Sequence, residues 1–426
     1  MNKYIIGGGY IADGKGFFIE NGAILIEGNR IARIGQLEDL QKLSDNYIDL
    51  EGRLVMPGFV NPHHHLYSAL AAGLSPLGIP DNFREILEYL WWPLDRALDE
   101  ESVYYSAMTG IIDSIKHGVT MISDHHASMN YVDGSLETIA KAFQKAQIRG
   151  LLCFETSDRM GNDQVDRHIR ENIDFYEKHR DDEYLGGSFG MHANFTLSEN
   201  SMKKIADSKP SDMPVHVHVA EDGYDATYCR RLGYDGAFDR LMKFELVDEN
   251  SLIGHAIHLG GGEFKMLNDL GPFIIENAES NANNGVGMMD NSKVDKFIIG
   301  TDGMAGDIIA SWRSHYLLKG GGEMSYFDTV IDEIDRMKSH FFPKTEGLAE
   351  GSIADIAVLD YRPKTPISKD NLMGHLFFGA KTALAYMTIC DGKIIYQDGD
   401  FKTIDIEDYY KNIRSVAQRL WNRFGK

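Results

Sequence analysis

Residues 54–70 read LVMPGFVNPHHHLYSAL, a stretch in which an apolar run pauses at a Pro-Gly pair and then ends in three histidines. On an extended chain, side chains two positions apart point to the same face, so His63 and His65 share one face and His64 points the other way. Neutral imidazoles are ligands that Zn²⁺ and Fe²⁺ favour. The stretch therefore predicts a buried strand whose end supplies half of a metal site.

Seven further short apolar runs follow, separated by segments with helical or mixed patterns. They are VTMISD (119–124), GLLCFE (150–155), SFGMHA (188–193), PVHVHVA (214–220), SLIGHA (251–256), PFIIEN (272–277) and FIIGTD (297–302). Strands that alternate with helices favour parallel pairing, and eight such units predict an α/β fold, a closed (β/α)₈ TIM barrel. Amphipathic stretches such as ETIAKAFQKAQIRG supply the helices between the strands.

Both ends of the chain are rich in strand and turn patterns. AILIEGNRIARIG alternates around Gly28-Asn29, and AYMTICDGKIIYQDGD does so around Asp391-Gly392, and both pairs favour hairpin turns. Neither end is large enough to bury a core alone, so we expect one composite β-sandwich built from both termini. The predicted division assigns residues 1–56 and 346–426 to this module, including a final helix, and residues 57–345 to the barrel.

Composition and charge exclude several classes of protein. The 43 Lys and Arg residues stand against 64 Asp and Glu residues, a formal net charge of −21, which repels phosphate backbones and anionic membranes. We therefore expect neither nucleic acid nor a membrane as a partner. The cysteines, Cys153, Cys229 and Cys390, form no CxxC pair, which is typical of a reducing compartment. No secretory signal and no apolar run of about 18 residues is present, so a cytoplasmic location is predicted.

In a parallel barrel, functional side chains gather at the C-terminal ends of the strands. Of the 16 histidines in the chain, at least eight lie at or beside the ends of the predicted strands, which a random scatter would rarely produce. The set that suits one divalent metal is His63, His65, His218 and Asp302. His216, two residues before His218, is the alternative ligand.

For several residues near the predicted strand ends, the sequence allows two interpretations. Trp91 and Trp92 suit either stacking on a planar heterocycle or packing in the core. The stretch ETSDR, which begins at Glu155, either reads the polar edge of a ring or forms an ordinary ion pair. His125 and His126 either contact substrate or have a structural role.

Five motifs in order resemble those of the amidohydrolase superfamily, namely PGFVNPHHH, HVAED, LIGHAIHL, SNANNGVG and GTDG. They are similar to its aminohydrolase and chlorohydrolase branch, which includes cytosine, guanine and adenosine-type deaminases. A second set resembles more narrowly the SsnA-type aminohydrolases, namely LWWPLDRALDEESVYYS, SDHHAS, CFETSDR, HANFTLS and DNLMGHLFFG. The resemblance covers essentially the whole chain and is more specific for the superfamily than for a substrate.

The resemblance implies a mononuclear site, because no lysine ends the fourth strand to bridge two metals. The implied ligands of one divalent metal, Zn²⁺ or alternatively Fe²⁺, are His63, His65, His218 and Asp302. Asp302 is also implied to accept a proton from the attacking water. Glu221, in HVAED, matches the glutamate that shuttles protons, and His255 matches the histidine beside the attacked carbon. The residues predicted to bind substrate are His192, Glu155, Trp92 and Asn281, the last in the pocket floor.

The predicted function is hydrolysis of a carbon–nitrogen bond other than a peptide bond, most directly deamination of a purine- or pteridine-like heterocycle. A divalent metal lowers the pKa of water from about 15.7 toward about 7, which supplies hydroxide at neutral pH. The same site would serve another leaving group, so a chlorohydrolase, a ring amidase or an imino hydrolase is the alternative enzyme. An inactive metal-binding scaffold is the alternative outside the enzymes. The expected partners are a small heterocycle and water, and the resemblance implies a homodimer.

Overall fold

Short strands and helices alternate through the middle of the chain in the computed structural model, which describes residues 3–426. Further strands lie toward both ends. In chain order the strands of this described part are β1 Lys3–Ala12, β2 Phe18–Glu27, β3 Arg30–Gln36, β4 Tyr47–Asp49, β5 Leu54–Pro57, β6 Phe59–His64, β7 Val119–His126, β8 Arg149–Phe154, β9 Leu185–Gly187, β10 Phe189–Met191, β11 Val215–Val219, β12 Leu252–His255, β13 Phe273–Glu276, β14 Ile298–Ile299, β15 Ile356–Leu359, β16 Ala385–Cys390, β17 Lys393–Gln397 and β18 Asp400–Phe401.

Helices connect most of these strands. Over the same residues the α-helices are α1 Leu37–Leu40, α2 Phe83–Ile86, α3 Trp92–Ala97, α4 Glu100–Lys116, α5 Ser135–Ala146, α6 Asn162–Lys178, α7 Glu199–Ser208, α8 Gly223–Arg231, α9 Ala237–Lys243, α10 Gly261–Leu270, α11 Ala278–Asn284, α12 Ile308–Leu318, α13 Tyr326–Phe341, α14 Leu372–Gly374 and α15 Ile406–Arg423. Segments of 3₁₀-helix cover Gln41–Leu43, Leu66–Ala71, Asn194–Thr196, Asn291–Lys293 and Lys369–Asn371, and π-helical turns cover Leu87–Trp91 and His375–Gly379. Among the described helices, none combines the length and the apolar character needed to cross a membrane.

The middle strands form two parallel sheets. One has the order β6-β7-β8-β9 and the other β10-β11-β12-β13-β14, and every neighbouring pair is parallel. Parallel bridges join the two sheets at both edges, between Thr156 and Met191 and between His64 and Asp302. The protein is therefore mixed α/β, with helices connecting parallel strands as the alternating pattern predicts.

Two predicted strands differ in the structure. The run at 54–61 is broken at Gly58, so β5 joins the sheet of the chain ends and only β6 joins the parallel strands. A Cβ atom at Gly58 would lie 2.4 Å from Thr120 Oγ1, so the chain crosses between the two regions where only glycine fits. The fourth strand begins earlier than predicted, at Leu185, and is interrupted at Ser188, so that β9 pairs with β8 and β10 with β11.

The two chain ends build one nine-stranded sheet. Its order is β18-β17-β16-β15-β5-β1-β2-β3, with β4 paired to β1. The predicted turns at Gly28-Asn29 and Asp391-Gly392 connect the antiparallel pairs β2-β3 and β16-β17. Apolar side chains from both ends share one core, among them Ile6, Ile24 and Met387. Both ends therefore contribute to a core that neither could bury alone.

Polar contacts attach this sheet and the last helix to the parallel strands. Arg149, at the start of β8, is fully buried and donates to the Asp355 carboxylate, which precedes β15. On α15, Trp421 Nε1 donates to Leu70 O at 2.8 Å. This second contact supports the segment Leu66–Ala71, which directly follows the three histidines.

Candidate metal centre and active site

The ends of β6, β11 and β14 bring the four predicted metal ligands together. Asp302 Oδ1 lies 3.3 Å from His63 Nε2 and 2.8 Å from His65 Nε2. His65 Nε2 in turn lies 3.1 Å from His218 Nε2, and all four side chains are buried. Ligand atoms bonded to one zinc ion at about 2.0–2.2 Å have similar separations. The donor atoms are therefore spaced so that they could hold one ion.

Backbone carbonyl groups orient two of these imidazoles. His65 Nδ1 donates to His125 O at 2.7 Å, and His218 Nδ1 donates to His192 O at 2.8 Å. In a neutral ring, a proton on Nδ1 leaves Nε2 with a free lone pair, the arrangement that metal-binding histidines adopt. The strand ends thus supply both the imidazoles and the groups that orient them.

Side chains hold the other two residues. His63 Nδ1 and His216 Nε2 are hydrogen bonded at 2.7 Å, and Asp302 Oδ2 accepts a hydrogen bond from Ser280 Oγ. His216 is fully buried and contacts the ring nitrogen of His63 that faces away from Asp302. His216, the alternative ligand of the sequence analysis, therefore lies behind His63.

The electrostatics of the cluster fit a divalent metal. His63 Nε2 is buried and has no hydrogen-bond partner within residues 3–426, and burial lowers the pKa of His63 to about 4, which keeps the ring neutral. Burial would raise the pKa of Asp302, but the neighbouring His63 and His65 rings hold it well below its usual range. Burial also lowers the pKa of His65, but Asp302 raises it to about 9, so a metal would displace a proton there.

The surrounding donor atoms belong to two overlapping groups. Within each group the atoms lie within 4.8 Å of one another, and the groups are His63, His218, His255 and Asp302, and His65, His125 and His218. His218 is common to both, so the two groups describe one cluster. His125 Nε2 already donates to Met191 O at 3.1 Å, which gives His125 a structural contact.

Glu221 and His255 lie against this cluster as a pair. His255 Nε2 is 3.5 Å from Glu221 Oε2, and His255 Nδ1 donates to Asn281 Oδ1 at 2.8 Å. Burial, and next the Asp302 carboxylate, raise the pKa of Glu221 well above its usual value, which favours the protonated form of its carboxyl group. Burial lowers the pKa of His255. The pair thus combines a carboxyl group of raised pKa with an imidazole of lowered pKa.

Four non-glycine residues near these strand ends have left-handed backbone angles. The φ angles are 50° at Ala220, 72° at His255, 53° at Ala256 and 54° at Asp302. Such conformations cost about 1–3 kcal/mol each and persist where the surrounding structure determines them. They occur where the chain leaves β11, β12 and β14, which is where the candidate catalytic side chains are presented.

A cavity of about 260 Å³ opens beside the cluster. Of the residues predicted to bind substrate, His192, Glu155 and Trp92 line it, whereas Asn281 is not among the described lining residues. Asn281 is fully buried behind His255, so its position differs from the predicted pocket floor. Asp95 also lines the cavity, and the sequence does not predict this, because no apolar strand precedes Asp95.

Asp95 and Glu155, in the cavity wall, and Arg159, which contacts both, form what we call the outer triad. Arg159 Nη1 donates to Asp95 Oδ2 at 2.7 Å, and Nη2 donates to a Glu155 oxygen. The guanidinium carbon lies 5.1 Å from the centre of the Trp92 ring, within the range of a cation–π contact. The ETSDR stretch thus forms a buried ion pair, and Glu155 also lines the cavity.

Burial affects the two carboxyl groups of the outer triad differently. It raises the pKa of Asp95 to about 7, although Arg159 opposes that shift. For Glu155 burial also acts to raise the pKa, but His192 and Arg159 hold it at about 2. Glu155 is therefore ionised at all physiological pH values, and Asp95 is mainly ionised above neutrality.

The remaining histidines at strand ends make structural contacts. His64 Nδ1 donates to Asp302 O at 2.7 Å, so its ring faces away from the cluster, as the alternation of side chains predicts. His126 Nε2 is hydrogen bonded to Ser128 Oγ at 2.8 Å. Neither His64 nor His126 lines the cavity in the described part of the chain. His64 instead fixes the backbone that presents Asp302.

Comparisons with known proteins agree over nearly the whole chain. The model of the amidohydrolase family matches residues 54–395. The 5-methylthioadenosine/S-adenosylhomocysteine deaminase of Halothermothrix orenii is 26% identical over 96% of this chain and 97% of its own length. The 5'-deoxyadenosine deaminase of Methanocaldococcus jannaschii is 24% identical over 93% and 96%. The crystal structure of an adenosine deaminase from Xanthomonas campestris with bound zinc shares the fold, with a TM-score of 0.82, 19% identity and 98% coverage of both chains.

Proposed function

This chain belongs to the amidohydrolase family, and from that premise we propose that it removes an amino group hydrolytically from a purine- or pteridine-like heterocycle. The observation that carries the proposal is the pairing of Glu221 with His255 at 3.5 Å, against Asp302 and the histidine cluster. A scaffold would need the metal-binding cluster but not a protonated carboxyl group in the same cavity. The relatives named deaminases of adenine nucleosides support a purine-like ring.

We propose zinc as the metal. The residues that would hold it are His63, His65, His218 and Asp302. Three imidazoles and one carboxylate suit zinc, and the adenosine deaminase structure from Xanthomonas campestris contains bound zinc. Bound here, the metal would supply Lewis-acid activation of water at neutral pH.

The protein's own residues then move the protons. Asp302 accepts a proton from the attacking water. His255 does not transfer a proton and instead holds the attacking oxygen by a hydrogen bond. Glu221 protonates a ring nitrogen as the new carbon–oxygen bond forms at the ring carbon. The proton held by Asp302 then passes through Glu221 to the amino group, which leaves as ammonia as the carbon–nitrogen bond breaks. The proton of the new hydroxyl group restores Glu221. Water supplies the oxygen and hydrogens, so no oxidant or reductant is required.

The proposed substrate contacts are His192, Glu155 and Trp92, all of which line the cavity. His192 Nδ1 is hydrogen bonded to Thr196 Oγ1 at 2.9 Å, which orients the ring. For Asn281 we propose an indirect role, since its Oδ1 accepts from His255 Nδ1. Asn281 would position His255 and fix the proton on Nδ1.

We also propose that the bridged parallel sheets form the closed (β/α)₈ barrel, because bridges join both of their edges. The nine-stranded sheet would fold over its shared core as the composite β-sandwich, which an antiparallel bridge between Arg30 and Ile353 supports. The proposed domains remain residues 1–56, 57–345 and 346–426, of which the first two residues lie outside the described part.

We infer a reducing, cytoplasmic setting and a homodimer. All three cysteines of the chain are free and buried, which supports a reducing compartment. The homodimer stays a prediction from the family resemblance. Analytical ultracentrifugation of the metal-loaded protein measures it, and a purely monomeric protein at micromolar concentration would contradict it.

Metal analysis combined with ammonia release tests the proposed reaction. We expect zinc-supplemented protein to hold about one ion per chain and to release ammonia from at least one of a panel of adenine nucleosides, free purines and pteridines. Chelation should abolish release, and added zinc should restore it. Metal-replete protein that released chloride from a chloroheterocycle but no ammonia from the whole panel would show that the leaving group is assigned wrongly.

A further inference from the structure

Four acidic residues line the cavity. We call the side formed by Asp95 and Glu155 the outer wall, and the side at the metal cluster, with Glu221 and Asp302, the inner end. Among the described residues that line the cavity, none is lysine or arginine. The metal of the proposed function would add positive charge only at the inner end, beside Asp302. The charge of the outer wall should therefore determine how tightly heterocycles with charged substituents bind.

Arg159, which contacts this wall, has its donors directed at carboxylates and a hydroxyl. Arg159 Nη1 and Nη2 donate to Asp95 and Glu155, and Arg159 Nε donates to Ser157 Oγ at 3.2 Å. The side chain is 8% exposed. Its charge is therefore neutralised within the outer triad, which has one negative charge in excess when both carboxyl groups are ionised.

One acceptor of the outer triad remains open. Asp95 Oδ2 is bonded to Arg159, but Asp95 Oδ1 is buried and has no hydrogen-bond partner within the described chain. Asp95 itself is 1% exposed and lines the cavity. A buried carboxylate oxygen without a donor is costly, and a cationic or hydrogen-bond-donating substituent beside Asp95 would reduce that cost. A substrate that brings an anion would place two like charges together.

We propose that the outer triad makes the enzyme selective for amino-heterocycles with neutral or cationic substituents, and that Asp95 excludes those with carboxylate or phosphate groups. This inference rests on the proposed function, because it concerns the substrate of the same cavity. Like charges brought together in a partly desolvated site are strongly unfavourable. Asp95 thus acts as a specificity-determining residue, and Arg159 holds it in place.

A series of ligands that differ mainly in charge tests the selectivity. We suggest adenosine 5′-carboxamide, adenosine 5′-carboxylate and 5′-amino-5′-deoxyadenosine, measured at about pH 8, where Asp95 is ionised. Dissociation constants come from calorimetry on zinc-loaded Glu221→Gln protein, and kcat/KM comes from ammonia release by the wild type. We expect the carboxylate to bind about 30-fold more weakly than the carboxamide, and the amine at least as tightly. A carboxylate that binds within about threefold of the carboxamide overturns the proposal.

Two isosteric variants assign the effect to the outer triad. Asp95→Asn keeps an acceptor for Arg159 but removes one charge, and we expect it to reduce the carboxamide-to-carboxylate preference about 10-fold. Glu155→Gln should also reduce this preference. With two variants, the test remains valid if one of them does not fold. Glu88→Gln, at a residue paired with Arg84 on the surface, is the control and should leave the preference unchanged. Preferences unchanged in both folded triad variants overturn the assignment.

The two proposals fail in distinguishable ways. If none of the three nucleosides releases ammonia but the carboxylate still binds weakest, deamination of these compounds is wrong and the charge selectivity stands. If ammonia is released fastest from the carboxylate, the charge selectivity is wrong and deamination stands. If none of the three binds to zinc-loaded protein, the proposed charge selectivity is overturned.

Discussion

The inner end of the cavity and its outer wall are built in different ways. At the inner end, backbone carbonyls orient His65 and His218, and His255 and Asp302 have left-handed backbone angles. The outer triad consists of side chains from α3 and from the loop after β8, and they contact one another. In the proposed mechanism, strand ends therefore hold the reacting groups, whereas side chains on connecting segments select the substrate.

This difference predicts two classes of variant. Substitutions at the inner end should lower kcat or the metal content, because the proposed ligands and proton carriers lie there. Substitutions in the outer wall should change KM or substrate preference and leave the metal in place. The expected effects decrease from the metal ligands to Trp92 in the outer wall. Each measurement tests whether the two ends of the cavity have separate roles.

Removal of a metal ligand should have the largest effect. His65→Ala should lower kcat/KM about 10⁴-fold, because activation of water by a metal is worth several kcal/mol, and bound metal should fall as well. Inductively coupled plasma mass spectrometry and ammonia release measure the two quantities. His340→Ala, at an exposed residue near the end of α13, is the control and should retain both. A His65→Ala protein with full metal and turnover would place the ligands elsewhere.

Substitution of Glu221, the proposed proton carrier, should lower activity nearly as much but leave the metal content unchanged. Glu221→Gln keeps the shape of the side chain but cannot donate and regain an acidic proton, so kcat should fall about 10²–10⁴-fold. Metal content should stay at the wild-type value, which separates proton transfer from metal binding within the inner end. Glu183→Gln, at an exposed residue, provides the matched control. Loss of metal in Glu221→Gln would instead make Glu221 a ligand.

A positioning residue should have an intermediate effect. Asn281→Leu removes the acceptor of His255 Nδ1, and we expect kcat to fall about 10–100-fold. KM should change by less than about threefold, because Asn281 does not touch the cavity in the described structure. Asn281→Asp keeps an acceptor and should recover most of the lost kcat. A rise in KM at constant kcat would return Asn281 to direct contact with the substrate.

The inner end is predictable from sequence for a physical reason. Parallel strands place their C-terminal ends together, and alternation puts His63 and His65 on one face, so residues that end apolar runs must converge. The break at Gly58 does not follow from the same pattern. It depends on the close approach of Thr120, which lies on another strand, and a run of apolar residues carries no information about that neighbour.

The outer wall is less accessible to sequence reasoning. Asp95 and Arg159 are in contact although they lie 64 positions apart in the sequence. Asp95 lies on α3 and Arg159 in the loop after β8, so no strand pattern predicts that contact. The sequence predicts Asn281 in the pocket floor, but a short helix such as α11 presents one face to the cavity and another to His255. Sequence alone does not tell which side chain takes which face, because the rotation of α11 is set by its packing.

The smallest effect is expected for an aromatic residue of the outer wall. Trp92→Phe keeps a ring beside Arg159 but reduces its face, and aromatic contacts are worth about 0.5–1.5 kcal/mol, so KM should rise about 2–10-fold. We expect kcat within about twofold of the wild type and no change in metal content. Phe378→Leu, at an exposed aromatic residue, is the control. If Trp92→Phe lowered kcat more than it raised KM, the outer wall would take part in the chemistry, and the two ends of the cavity could no longer be assigned separate roles.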